Sequence, residues 1–179
     1  MIMDYRDKLR KQITEAGVNV VYTYSAHWII VDDLKARYEL LKNTQIFLMA
    51  ISATGVMTSL IASIPWLGWG GGLSSALALG LNLYMLNFNI SDEIKQHTDA
   101  ANELWLVREL YKSLLVDFDI LSDNEIREKR NQLIEKVNCV NKNYPGTDEE
   151  SFAKAQKNIG KYIFGDDEAE KLMNVKRIE

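Results

Sequence analysis

Few residues in this chain are equipped for chemistry. His27, His97 and Cys139 are its only imidazoles and its only thiol, and no two of them stand at the spacing of zinc ligands. Gly70-Gly71-Gly72 offers the glycines of a phosphate loop but is followed by no lysine. No serine sits in the Gly-x-Ser-x-Gly setting of an esterase nucleophile. Asp32-Asp33 and Asp166-Asp167 are sequence neighbours, so on a helix their carboxylates diverge and share no proton. There is therefore no catalytic set, and the expectation is a protein that is not an enzyme and needs no cofactor or metal. His27 and His97 read as packing or hydrogen-bonding residues, with pH sensing as the sharper alternative.

A different chemistry lies in the middle of the chain. Residues 1–42 carry seven basic and six acidic side chains, and residues 92–179 carry fourteen and nineteen; Asn43 to Ser91 carries none. Within that stretch Ser75, Asn82 and Asn89 share a helical face with Gly71, Ala78 and Met85, while Leu73, Leu77, Leu81, Tyr84 and Phe88 lie opposite. An amide in hydrocarbon is costly unless something satisfies it. The face either lines water or hydrogen-bonds across a helix interface, and Asn82, read as mid-span, is its central residue. Gly72, Ala76 and Gly80 form a strip at intervals of four that lets a second helix approach closely. Gly55 and Ser59 lie on the corresponding small face of the preceding span, with Thr54, Thr58 and Ala62.

These residues need helices to position them. Val20, Tyr24, His27, Val31, Leu34, Tyr38 and Leu41 recur at steps of four and three, the stripe of an amphipathic helix. It runs on into Ile46–Ile64, an apolar run about 28 Å long as a helix, against a hydrocarbon core roughly 30 Å thick. One long helix is expected over 20–64, and Pro65 ends it. Pro65 to Gly72 reads as a tight turn, with Trp66 and Trp69 as anchors at headgroup level. A second span follows from about Leu67 to Phe88. Further helices are expected from Asp92 to about Phe118, from a Ser122/Glu125 capping box toward Asn141, from a Thr147/Glu150 capping box to about Ile159, and after Gly165. In the third of these expected helices Leu104, Val107, Tyr111, Leu114 and Phe118 make the apolar face, with Glu103, Arg108, Glu109 and Lys112 around it.

The predicted protein is all-α and integral to a membrane: an N-terminal helical region (1–42), a transmembrane hairpin (43–91) and a C-terminal helical region (92–179). Lys35, Arg37 and Lys42 precede the first span and Lys95 follows the second, while the turn between them has no basic residue. Both termini are therefore expected in the cytoplasm. A lone cysteine suits that reducing compartment, and no secretory leader is visible. A net charge of -4 without a basic stripe gives no case for nucleic acid.

The layout resembles the SLATT family of two-transmembrane effectors, which accompany bacterial nucleotide-signalling and reverse-transcriptase defence systems. The likeness rests on a helix entering a hairpin with a short outer turn, then a long helix that begins His97-Thr98-Asp99-Ala100-Ala101 and continues through Trp105 to Arg108 and Tyr111. The Tyr144-Pro145-Gly146-Thr147 break and the segment from Glu149 to Ala155 resemble the tail of some members. The resemblance implies an effector of the bacterial inner membrane that oligomerises and permeabilises it against phage. A nucleotide cyclase or a reverse transcriptase would be its sensor partner, and lipid and further copies of itself its other partners. A passive anchor whose cytosolic helices bind a partner is the main rival, and a holin-like lysis protein the third.

Overall fold

A computed structural model describes residues 5–162, with side chains to Ile159. Its five helices are α1 (Tyr5–Ala62), α2 (Pro65–Phe88), α3 (Ile90–Val116), α4 (Asp123–Asn143) and α5 (Glu149–Tyr162). There is no strand among the described residues, and the helix expected after Gly165 lies outside them. The chain divides into two compact units, one of residues 1–31 with 95–179 and one of residues 32–94.

The unit of residues 32–94 is the hairpin. Its turn is shorter than the sequence suggests. Only Ser63 and Ile64 lie between the helices, Ser63 at φ 55°, and Pro65 opens α2 where it was expected to begin a loop. The physical reason is that proline's missing N–H costs nothing at the first helical position, where that donor has no intrahelical partner. Trp66 through Gly72 are accordingly helical.

The two spans meet through glycine. A Cβ built on Gly55 would stand 2.9 Å from the Leu67 carbonyl oxygen and 3.2 Å from the Gly71 Cα. One built on Gly71 would stand 2.9 Å from the Ser52 carbonyl oxygen and 3.1 Å from Val56 Cγ2. Backbone touches backbone, and no side chain fits at either position. Ala78 completes the buried seam, with Leu81 and Met85 half-buried beside it. At the far end Asn89 stops α2 in the left-handed region (φ 42°), its side-chain amide donating to Asp92.

The outside of the hairpin is apolar. None of the most hydrophobic 18-residue window of α1 is buried, and only 11% of that of α2. Phe47, Met57, Leu60, Ile61, Leu73, Leu79 and Leu86 are all more than half exposed. A core helix of a soluble protein would be covered; an exposed apolar surface this continuous belongs against lipid. The chain is an integral membrane protein with two spans.

The other unit is a helical bundle. Ile13, Val21, Tyr24 and Val31 of α1 pack with Ala100, Leu104 and Tyr111 of α3 and Ile126, Leu133 and Val140 of α4 in its core. α4 lies along α1, tied by Arg6–Asp123 at 3.4 Å and Arg130–Gln12 at 2.9 Å. Arg6 also donates to the carbonyls of Phe118 and Leu121, and Arg10 covers the Phe118 ring at 4.4 Å. The Ser122/Glu125 capping box forms as expected. The next cap differs: Asp148, not Thr147, accepts the Ser151 N–H, because a carboxylate one residue nearer the helix is the stronger N-cap acceptor.

The seam makes a direct prediction. Gly71→Leu forces the spans apart at a cost of roughly 1–3 kcal/mol, whereas Gly72→Leu enters open space and leaves the hairpin intact. Cysteines placed at Leu48 and Ala78 in a Cys139→Ser background report the difference. Crosslinking persists with Gly72→Leu and falls with Gly71→Leu; equal yields would contradict the seam.

Candidate functional site

The hairpin seam fixes the depth of every polar residue in the spans. With Gly55 against Gly71 and Ser59 beside Gly68, each step along one helix is a step back along the other. Ser75 then comes level with Ile51, in the middle of the charge-free stretch. Asn82 comes level with Thr44, two residues from Lys42, at its edge. The expectation of a mid-span Asn82 is thus corrected: Ser75 holds that depth. Asn89 leaves the helical face altogether and serves as the cap between α2 and α3. Ser75 and Asn82 flank the seam and are exposed.

The small residues separate into two sets. Gly55 is spent on the hairpin seam, and Ser59 is half-buried, its Oγ 2.9 Å from a Cβ built on Gly68. Gly72, Ala76 and Gly80 are exposed, and nothing lies within 4 Å of a Cβ added at Gly72 or Gly80. A surface groove of about 620 Å³ lies beside Gly72, at the turn end of this strip, lined by Ser59, Pro65, Gly68, Trp69, Gly72 and Leu73. Trp66 and Trp69 stand out at the turn, 70% and 82% exposed. At the opposite end of the hairpin Arg37 donates to the Tyr84 hydroxyl, and Tyr84 stacks on Phe88 at 4.3 Å.

In the helical bundle the two histidines, seventy residues apart in sequence, come together. His27 and His97 are each 3% exposed, with Nδ1 to Nδ1 2.8 Å and ring centroids 5.0 Å apart. At that distance one ring's Nδ1–H donates to the other's bare Nδ1, so the contact holds with no added proton or with one. With two, both nitrogens carry hydrogen and the contact fails. Burial first, and the charge of His97 second, hold His27 down at about 4. Among the described residues no group of three or more histidines, cysteines or carboxylates stands close enough to hold a metal ion.

One turn after another, α3 turns the same face to α1. Ala100 and Ala101, both 0% exposed, follow His97, and Leu104 and Arg108 come next at 1% and 2%. Arg108 was expected on the solvated side of this helix. It is buried instead, pairing with Glu109 and lying 4.5 Å over the Trp105 ring. The ring face and a carboxylate compensate its charge where water does not reach. Tyr24 of α1 packs on Trp105 at 5.2 Å. The spacing of His97, Ala101, Leu104 and Arg108 was the available signal, since it is the inward face of one helix.

A family model described as SMODS and SLOG-associating 2TM effector domain family 4 matches residues 9–168. Nothing matches among curated proteins or among solved structures.

The histidine pair makes stability depend on pH in one direction. His27 titrates lower folded than unfolded, from 6.5 to about 4, so between those values the unfolded chain binds the extra proton. The contribution is complete above pH 6.5, is lost as pH falls toward 4, and amounts to about 3 kcal/mol by linkage. The melting temperature of the detergent-solubilised protein should drop across that window, and His27→Gln should flatten the drop. An identical profile for the variant would contradict the assignment.

Proposed function

This chain belongs to the SMODS and SLOG-associating 2TM effector domain family 4, and we propose that it is the membrane effector of a bacterial anti-phage defence system. It assembles through its hairpin and permeabilises the inner membrane when a partner protein or a nucleotide signal releases it. Both termini and the helical bundle lie in the cytoplasm, on the side of Lys35, Arg37, Lys42 and Lys95. Its action is physical, not enzymatic.

The observation that carries this reading is the geometry of α2. At about 100° per residue, the seam residues Gly71, Ala78 and Met85 and the open strip Gly72, Ala76 and Gly80 lie on nearly opposite sides of the helix. One side of α2 is thus taken by α1, and the other is free for a neighbouring copy. Ser75 and Asn82 fall between the two on one side; Leu73 and Leu77 fall between them on the other. In a closed ring of hairpins the first pair faces the axis and the second faces lipid. Ser75 then lines the path at mid-depth and Asn82 its cytoplasmic mouth. Water in the path satisfies both side chains, which lipid cannot.

Leak from proteoliposomes at high protein-to-lipid ratio, with crosslinked oligomers measured on the same samples, tests the arrangement. Gly80→Leu should reduce assembly and leak together, because it keeps neighbouring backbones apart. Ser75→Leu should leave assembly intact and cut leak by about tenfold or more, since an apolar constriction dewets. Asn82→Leu, at the wider and wetter mouth, should cost less. Full leak from a normally assembled Ser75→Leu protein would sink the pore-lining assignment. An unaltered oligomer in Gly80→Leu would sink the interface.

A further inference from the structure

The charges that α1 carries up to the first span are sorted around the helix, and the hairpin seam fixes the sides. A Cβ built on Gly71, one turn before Ser75, would stand 3.1 Å from Val56 Cγ2, and one built on Gly68 would stand 2.9 Å from Ser59 Oγ. On the other side of the seam Leu67 borders a groove with Thr54 and Thr58. Val56 is therefore on the side of the hairpin that carries Ser75 and Asn82. Steps of seven hold one face of a helix against its partner, so Met49, Lys42 and Lys35, at such steps before Val56, keep to that side. The half-buried Leu34, Tyr38 and Leu41 continue the seam along α1, and Asp32, Asp33 and Glu39 fall on the exposed face turned away from it. Arg37 donates to the hydroxyl of Tyr84, which is nine residues from Ser75 and so on the opposite side of α2. The basic side chains that share a side with Ser75 and Asn82 are thus Lys42 and, two turns farther out, Lys35.

We propose that Lys42 sets the sign of the ion that crosses, and that the path carries small inorganic anions in preference to cations. The inference rests on the effector reading and extends it to what permeates. Ser75 offers a hydroxyl and Asn82 an amide, each able to donate and to accept, so they solvate either sign alike. No charge between Asn43 and Ser91 discriminates either. The choice falls to the nearest charge beside the path. Lys42 is exposed and about 3 Å in depth from the level of Asn82. Asp92 follows Asn82 by ten residues, about 15 Å of helix. Exposed charges are largely screened beyond about 8 Å at physiological ionic strength, which discounts Asp92 and keeps Lys42. Glu39 is nearer in depth than Asp92 but lies on the far face of α1. In a closed assembly each copy places one ammonium beside its Asn82, and the ammoniums make a ring at the cytoplasmic mouth. Such a ring draws anions in and holds cations off.

The test is the reversal potential of the full chain in planar bilayers under a KCl gradient. Phosphatidylcholine is the lipid, so that no anionic headgroup competes for the lysines. Chloride should permeate in preference to potassium by about threefold or more, and by a larger factor at low salt. Lys42→Gln should bring the ratio close to one, and Lys42→Glu should invert it. Arg37→Gln removes a charge held on the other side of α2 and should leave the ratio unchanged. A ratio at or below one in the unaltered protein would overturn the proposal, as would a chloride preference that Lys42→Gln leaves intact. Lys42 could instead serve anionic lipid headgroups. Lys42→Gln would then weaken retention in phosphatidylglycerol vesicles without moving the ratio, and that result also overturns the proposal. A protein that conducts but prefers potassium overturns this assignment and spares the effector reading. One that never conducts overturns both.

Discussion

Contact between the backbones at Gly55 and Gly71 is the constraint from which the membrane part follows. In hydrocarbon there is no hydrophobic force to press two helices together, so close packing and shape must hold them. Two facing glycines bring the helices near enough for that. They also fix the register, and the register sets the depth at which each polar side chain meets lipid. Because this seam occupies one side of α2, the strip of Gly72, Ala76 and Gly80 is left over, and the polar pair Ser75 and Asn82 lies between the two.

The bundle is held by a different balance. Its seam between α1 and α3 buries imidazole against imidazole and a guanidinium against an indole, with alanines between to let the backbones close. Such groups are expensive to desolvate and are tolerated because they are matched, His27 to His97 and Arg108 to the Trp105 ring and Glu109. Replacing one partner alone leaves the other buried and uncompensated. The seam is therefore specific in the proton count and the pairing it accepts, where an aliphatic seam would be indifferent.

Much of the architecture was legible in the residues. The charge-free stretch announced the spans, the four-and-three stripe announced α1, and the Ser122/Glu125 spacing marked the start of α4. These are local or periodic signals, and local physics decides them. The turn was misjudged because proline both ends helices and begins them, and only the packing of Gly68 and Gly71 shows which. Asn82 was placed too deep because depth depends on which residue of the partner span lies opposite, and no single helix carries that. The histidine contact joins residues seventy positions apart, so it depends on how α1 and α3 are aligned. Arg108 was set on the wet face because charge usually is; its place is explained by Trp105 and Glu109.

The account stands or falls on whether residues 43–91 lie in lipid. Extraction of membranes from expressing cells with alkaline carbonate strips proteins held by charge or by partners and leaves those that span the bilayer. The protein should stay wholly with the membrane pellet and come away only with detergent. Release into the carbonate supernatant would show that the exposed apolar surface of the hairpin is covered by protein, and would contradict the two-span structure and the function built on it.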